Sequence, residues 1–424
     1  MRSANLHLSF ALISSIAGFG VSLVMTPVMA RIFAPSDYGG FAVANSVATI
    51  GATACLLSLP GALAISRSNA TRLRLTRLLV LLGLWGALLG LLVAGAIHLM
   101  HEGQGDLTGW WFVATTPLLM LATVAYRITA AWSIALGEFR AQAEARIGYA
   151  VTTRPLAILL GFLLGPQAWI MILSEVAAWI VQTGLLLRGH GRALSRLWTR
   201  QKRPISLRRE WLKYRTFTQF DYLSQLFLLL SASAPVLIIG SVYGARETGL
   251  VSLSMSIVSI PVMLISLAIS PAMLHEITQV WSRREQAAAA RLLRYFGLIA
   301  LAGIAGYAVL AVISPTLFPL FLGKNWVEAG PIAALLCLPI GLMFVVQPFY
   351  AIMWHSGDAP AKLVIDAFFS LLSIVVLLLP TTGGFERSLM LWVAVLTMHR
   401  LAELALVAVA ARRLHGSLVS RVTA

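Results

Sequence analysis

Charged residues are scarce in this chain, and acidic residues are only half as frequent as basic ones. Asp, Glu, Lys and Arg make up 11% of the 424 residues, against roughly 25% in a typical soluble domain. The chain therefore lacks the polar surface that a water-soluble protein of this size needs. Hydrophobic residues make up 59%, and apolar runs long enough to cross a bilayer as helices recur along the chain. Because backbone groups in lipid must be satisfied internally, we expect an all-α polytopic membrane protein.

Two further absences limit the chemistry. The two cysteines, Cys55 and Cys337, lie in apolar segments without metal-ligand spacing, so we expect them to be packing residues. A phosphate-binding Gly-rich loop followed by Lys and Ser or Thr is missing, which argues against ATP hydrolysis. We therefore expect no cofactor, no metal site and no ATP hydrolysis by this chain.

The apolar runs predict about twelve transmembrane helices. Because this number is even, both ends of the chain fall on the same side of the membrane. The approximate bounds of the twelve spans are residues 8–30, 40–66, 78–99, 111–135, 148–164, 167–187, 216–240, 247–274, 294–314, 328–353, 363–380 and 388–411.

The distribution of basic residues sets the orientation. A net charge of +16 first suggests a nucleic-acid partner. With the N-terminus in the cytoplasm, however, the cytoplasmic segments hold 25 of the 32 Lys and Arg residues, ten of them between Arg188 and Arg215. This distribution follows the positive-inside rule. We therefore expect cytoplasmic N- and C-termini, contacts between the basic loops and anionic phospholipids, and no nucleic acid.

Two distant stretches of the chain resemble each other. TPVMARIFAPSDYGGF begins at Thr26, and APVLIIGSVYGARETGLV begins at Ala234. In both, a Pro in an apolar run precedes a loop with an acidic residue and a Gly that leads into another apolar run. Pro27 and Pro235 are 208 residues apart, and the acidic residues and glycines that follow are 210 residues apart. The chain therefore contains an internal repeat.

The repeat predicts two six-helix halves. We expect an N-terminal bundle over 1–187, a basic cytoplasmic linker over 188–215 and a C-terminal bundle over 216–424. Parallel repeats are related by an axis along the membrane normal, and substrate sites lie between the halves. Because Pro removes a backbone hydrogen bond, Pro27 and Pro235 are candidates for helix bending; a harmless kink is the alternative.

The stretch TPVMARIFAPSDYGGFAVANSVATI resembles the start of the polysaccharide-transporter (Wzx-type) branch of the multidrug/oligosaccharidyl-lipid/polysaccharide (MOP) flippase superfamily. That branch shows an apolar helix, an Arg, a P-x-D/E-Y-G loop and a further apolar run. The matching residues here are Arg31, Pro35, Asp37, Tyr38 and Gly39. The stretches that begin at Ser233 and Ala135 resemble its seventh and eighth helices and its fourth-to-fifth connection. The resemblance covers residues 8–280.

This resemblance implies a MATE-like fold and a transporter without enzymatic activity. Such a flippase moves an undecaprenyl-diphosphate-linked oligosaccharide, an O-antigen, capsule or exopolysaccharide repeat unit, across the bacterial inner membrane. It would work by ion-coupled alternating access, with a polysaccharide polymerase as a candidate partner.

Three other functions stay open: a MATE-like drug or cation antiporter, a lipid II flippase of the same superfamily, and a membrane polymerase or ligase. An antiporter would want carboxylates deep in the first helix, a lipid II flippase more often has extra helices beyond twelve, and a polymerase usually has a large external loop. The sequence shows none of these features.

Arg127 and Arg154 are the candidate substrate-binding residues. At 1.5 Å per residue, Arg127 lies about 15 Å from the inner end of the fourth span, and Arg154 about 12 Å past Arg146. Ionisable groups inside a span are costly and are functional candidates by default, and Arg binds phosphate through paired donors. Our hypothesis is that both contact the diphosphate, with Asp221 pairing with one of them or lining the cavity. Snorkelling to the headgroups or bonding to carbonyls is the alternative.

Other ionisable residues inside the spans are candidates for ion coupling or structure. Glu175, about 20 Å from the inner end of the sixth span, is the deepest lone acid and a candidate proton carrier; a structural hydrogen bond would explain it equally. Asp366, about 6 Å beyond Lys362, is the second ion-coupling candidate or else an interfacial residue. Arg400 and Glu403, three residues apart on one helix face, are expected to form a structural pair.

Overall fold

Contacts between residues divide a computed structural model of the protein into two compact units, Met1–Gly249 and Leu250–Ala424. The elements of its described part are all helices. The structure describes residues 18, 20–66, 68–100, 109–200, 222–270, 273, 274, 276, 277, 286–379 and 384–419.

The first unit contains α1 to α8 and the start of α9. Their apolar sequences favour helices because a helix satisfies its backbone groups internally. Their bounds are α1 Gly20–Ile32, α2 Pro35–Leu56, α3 Leu59–Ile65, α4 Asn69–Met100, α5 Trp110–Leu136, α6 Phe139–Leu164, α7 Ala168–Arg200, α8 Tyr222–Tyr243 and α9 Ala245–Val258.

The second unit contains the rest of α9 and α10 to α15. Within it, α11 packs on α12, and α15 packs on α12 and α14. The bounds are α10 Ile260–Ala268, α11 Gln286–Leu322, α12 Ala329–Val346, α13 Ala351–Ser356, α14 Ala359–Leu378 and α15 Gly384–Val419, with 3₁₀ turns at Lys324–Trp326 and Gln347–Phe349.

Eleven helical stretches of the described residues are long and apolar enough to cross a bilayer. This confirms the all-α polytopic fold. The predicted first span appears as the shorter α1 because residues 1–17 and 19 lie outside the described residues. Apolar side chains face outward, and Leu301, Ile304 and Val312 on α11 are 62–80% exposed. Such a surface needs lipid around it.

Three predicted spans are interrupted. Span 40–66 divides into α2 and α3 at Ser58-Leu59-Pro60, and span 247–274 divides into α9 and α10 at Ser259-Ile260-Pro261. Pro lacks the N–H that would continue the helical ladder, so the same tripeptide pattern breaks the second helix of each predicted half. Span 328–353 is interrupted by the 3₁₀ turn at Gln347–Phe349.

The loop before the second helix is shorter than the sequence motif predicts. Asp37 and Gly39 lie inside α2, which begins at Pro35. The Asp37 carboxylate accepts a hydrogen bond of 2.9 Å from the backbone N–H of Ala34. The motif therefore starts a helix: Pro at the first position needs no donor, and an acidic residue in the first turn complements the helix dipole.

The two copies of the motif touch backbone to backbone through their glycines. A Cβ atom on Gly39 would overlap the carbonyl group of Ala245, and a Cβ atom on Gly249 would overlap the carbonyl group of Pro35. Gly39 and Gly249 are 210 residues apart, as are Pro35 and Ala245. The starts of α2 and α9 therefore meet in a reciprocal contact that only glycine permits.

The division into halves at the basic linker stays a prediction. By contacts, α8 belongs to the first unit, where it packs on α2. Helix α7 continues to Arg200, into the predicted linker, and residues 201–221 lie outside the described residues.

Replacing either contact glycine by alanine should destabilise the protein although alanine is the better helix former. We expect Gly39→Ala and Gly249→Ala to lower the free energy of unfolding by about 1–3 kcal/mol, the usual cost of overpacking. Thermal unfolding of the detergent-purified variants measures the change. Gly297→Ala on α11 is the control because a Cβ atom there meets nothing within 4 Å. Equal melting temperatures for all three variants would contradict the reciprocal contact.

Candidate functional site

A cavity of about 240 Å³ lies beside the break between α2 and α3. Arg127 is the one charged residue among the described residues that line it. All of them belong to the first unit. The cavity is therefore cationic. Its lining residues are Thr53, Leu56, Ser58, Pro60, Gly61, Arg127 and Gln225.

Arg127 lies within α5 and is partly buried. Its Nη1 donates a hydrogen bond of 2.8 Å to Thr53 Oγ1, which in turn donates to the Thr49 carbonyl at 2.9 Å. A guanidinium carries five N–H donors, and this is the one side-chain hydrogen bond that Arg127 makes to the described residues. None of their carboxylates is ion-paired with it. Arg127 therefore presents charge and unused donors to the cavity.

The helix break adds a second unused group. Leu57 and Ser58 have positive φ angles of 50° and 55°, a region that residues with a side chain occupy at a cost. Ser58 is 7% exposed, and its Oγ has no hydrogen-bond partner among the described residues. An unsatisfied buried hydroxyl costs about 1–3 kcal/mol. Unusual backbone and unpaired polar atoms together are typical of a binding site.

Arg154 has different surroundings. Its Nη1 donates to Ser22 Oγ of α1 at 2.7 Å. Glu175 on α7 is 6% exposed, accepts a hydrogen bond from the Tyr149 hydroxyl, and lies close enough to Arg154 to interact with its charge. Within the described residues, Arg127 and Arg154 share neither a hydrogen-bond partner nor a cavity. A diphosphate held by both stays a prediction.

Aromatic rings link the surroundings of the two arginines. The ring of Trp179 lies 4.5 Å from that of Tyr126 and 4.7 Å from that of Tyr149, between centroids. Tyr126 precedes Arg127, and Tyr149 bonds Glu175. Sequence reasoning missed these rings, although Trp179 follows Glu175 by one helical turn, a spacing that places both on one face.

The second unit contains a network of ionisable residues from α14 and α15. Lys362 Nζ lies 2.5 Å from Asp366 Oδ2 and 3.2 Å from Glu403 Oε1. His399 Nε2 lies 3.0 Å from Asp366 Oδ1, and Arg400 Nη1 donates to Glu403 Oε2 over 2.6 Å. Asp366 is therefore bonded to two side chains of this network, and both roles expected for it stay predictions.

Glu403 lies at the centre of this network with its side chain 0% exposed. The Tyr350 hydroxyl is 2.9 Å from both carboxylate oxygens, and the Tyr350 ring lies 4.7 Å from Lys362 Nζ. A buried charge is tolerated when partners of this kind compensate it. Arg400 and Glu403 are thus two members of a larger network, which the sequence did not reveal because Lys362 and Tyr350 lie on other elements.

The same residues include a set of metal-type donors. Single ligand atoms of Asp366, His399 and Glu403 lie within 4.8 Å of one another. The Lys362 ammonium, however, bonds both carboxylates. A metal ion would have to displace it, so the donor set does not favour a resident metal.

The remaining predicted residues are less informative. Asp221 lies outside the described residues. Pro27 lies within α1 and Pro235 within α8. Helix bending at these two positions stays a prediction.

Solved structures with a similar fold include transporters of the MOP superfamily. The lipid II flippase MurJ in an inward closed conformation matches with a TM-score of 0.68 and 11% identity, over 94% of this chain and 87% of that one. A MOP superfamily transporter from Pyrococcus furiosus gives 0.59 and 14%, over 96% of both chains. A multidrug resistance MATE family transporter in an inward-facing conformation gives 0.56 and 15%, over 98% and 95%. The protein is thus a multi-pass membrane protein with the MOP fold.

Residues 28–331 match the profile of the family described as polysaccharide biosynthesis protein. This match covers more than half of the chain, so the protein belongs to that family. Fold and family together confirm the resemblance noted in the opening motif. No curated protein sequence matches the chain significantly.

Breaking the network at its centre should destabilise the protein strongly. We expect Glu403→Gln to cost about 3–5 kcal/mol, because it leaves buried positive charge uncompensated. The melting temperature of the detergent-purified variant measures this. Glu144→Gln is the matched control: Glu144 pairs with Arg140 at 2.9 Å, but the two side chains are 56% and 78% exposed, and exposed pairs contribute at most about 1 kcal/mol. Similar losses in both variants would contradict the central role of Glu403.

Proposed function

We propose that this protein is a flippase for a polyprenyl-diphosphate-linked oligosaccharide in polysaccharide biosynthesis. It moves the cargo from the cytoplasmic to the periplasmic leaflet of the bacterial inner membrane, by alternating access, with both termini in the cytoplasm. The family and the fold support a transporter of this class. The observation that carries the proposal is the cavity beside the α2–α3 break, which Arg127 lines with unused donors.

The cargo chemistry fits this cavity. A saccharide and diphosphate head cannot cross hydrocarbon unaided, whereas its polyprenyl tail never needs to leave it. A cation inside a span is costly unless it serves a pathway or has a partner. A diphosphate would accept charge-assisted hydrogen bonds from the Arg127 N–H groups that make no hydrogen bond to the described residues.

The size of the cavity limits what it holds. A pocket for a drug-sized ligand measures about 300–1,000 Å³, and this one measures about 240 Å³. It therefore suits the phosphoryl part of the head rather than a whole oligosaccharide. The sugars would lie outside it.

The alternatives fit the site less well. A MATE-like antiporter would have to bind cationic drugs. In the described part of the chain, the one charged residue that lines the cavity is Arg127, which would repel them. A lipid II flippase carries a similar diphosphate, so the site does not distinguish it from our proposal. A comparison of the transported cargoes does. A polymerase or ligase would need catalytic groups, and we assign none; a separate polymerase stays a candidate partner.

Transport by purified protein in liposomes tests the proposal. A fluorescent polyprenyl-diphosphate saccharide is placed in one leaflet, and its appearance in the other is followed by chemical quenching. We expect Arg127→Ala to lower the rate at least about tenfold, the effect of losing one charged hydrogen bond. Arg127→Lys should retain part of the activity because it keeps the charge without the paired donors.

Arg140→Ala is the control, since Arg140 is an exposed arginine outside the cavity. It should transport at the wild-type rate. A wild-type rate for Arg127→Ala would remove this residue from the site. Transport of lipid II or of a cationic drug in place of the saccharide would overturn the cargo assignment.

A further inference from the structure

Lys362 occupies the position between two carboxylates. Its Nζ lies 2.5 Å from Asp366 and 3.2 Å from Glu403. The face of the Tyr350 ring lies 4.7 Å away, at the distance of a cation–π contact. The ammonium is a compact point charge at the end of a flexible stem. It is surrounded here as a bound monovalent cation would be.

The network balances its charge only while this ammonium is present. The positive charges of Lys362 and Arg400 offset the negative charges of Asp366 and Glu403. These residues lie within membrane-crossing stretches, where an uncompensated charge is costly. Without the ammonium, the network would carry one net negative charge. Two carboxylates would remain there, with the Tyr350 hydroxyl bonded to that of Glu403.

We propose that the Lys362 ammonium is a built-in substitute for a bound monovalent cation. The wild-type protein then binds no Na⁺ at this place. Removing the ammonium opens a Na⁺ site at Asp366 and Glu403.

The chemistry of the vacated position defines the ligand. Carboxylate and hydroxyl oxygens suit hard cations, whereas thiolates and imidazoles suit softer ones. One missing positive charge calls for a monovalent ion, because a divalent ion would reverse the imbalance. The inference rests on contacts within the second unit and does not depend on the cargo.

Cation-dependent stability of purified protein tests the inference without any transport assay. Wild type and Lys362→Met, whose side chain has a similar length, are purified in NaCl. Each is then melted in sodium, lithium, potassium or choline chloride at equal ionic strength. We expect the wild-type melting temperature to be the same in every salt. That of Lys362→Met should rise saturably by about 3 °C or more from choline to sodium, with one radioactive Na⁺ bound per chain.

Two variants control for charge and for the loss of a lysine. Lys362→Arg keeps the cation and should show no sodium response. Lys324→Met removes a lysine from the 3₁₀ turn before α12 and should behave as wild type.

Three results would overturn the inference. The first is specific binding of Na⁺ by the wild type. The second is a folded Lys362→Met that does not respond to Na⁺ or responds only to Zn²⁺. The third is a Lys362→Met that unfolds equally in all four salts, because a cation in the vacated position should restore the balance. A failure of saccharide transport by wild type would instead count against the proposed function alone.

Discussion

The organisation of this protein follows from the cost of placing charge in hydrocarbon. In water an ion pair adds little to the stability of the fold. Within a membrane span, however, each charge needs a counter-charge, hydrogen bonds or water. The second unit meets this need by balancing Lys362 and Arg400 against two carboxylates. Arg154 has the charge of Glu175 nearby. Arg127 is the exception among these four cations, since in the described part of the chain it has one hydroxyl partner and a cavity. This imbalance makes it a candidate for binding an anion.

The repeat imposes a second constraint. The motif with an acidic residue and a Gly was visible in both halves of the sequence, but its physical role became clear only from the contact of Gly39 with Ala245 and of Gly249 with Pro35. Two helix starts that approach through their backbones cannot both carry side chains there. Under this constraint, both copies of the motif need glycine. The sequence resemblance at these two positions therefore reflects the contact between the starts of α2 and α9.

Sequence reasoning predicted the helical fold because hydropathy acts over whole segments, and it singled out Arg127 because a lone charge in an apolar run is conspicuous. It could not predict which charges meet. Lys362 and Glu403 are distant in the chain, and their contact depends on how α14 and α15 pack. It also missed the helix break at Ser58. Pro60 indicated a break, but an apolar run is assigned as one span whether or not its helix is continuous. The cavity lies beside that break.

If Arg127 binds the cargo as proposed, its single hydrogen bond to the described residues affects how the cargo is exchanged. One N–H is held by Thr53, so the guanidinium is oriented before any ligand arrives, which lowers the entropy lost on binding. Its other donors need water when no anion is present, and a cavity of about 240 Å³ has room for several water molecules. In the proposed function, an arriving phosphoryl group would exchange one set of hydrogen bonds for another, so its net gain would be modest. For the proposed flippase such a site would favour release, because a cation that bound the cargo through all five donors would hold it more tightly.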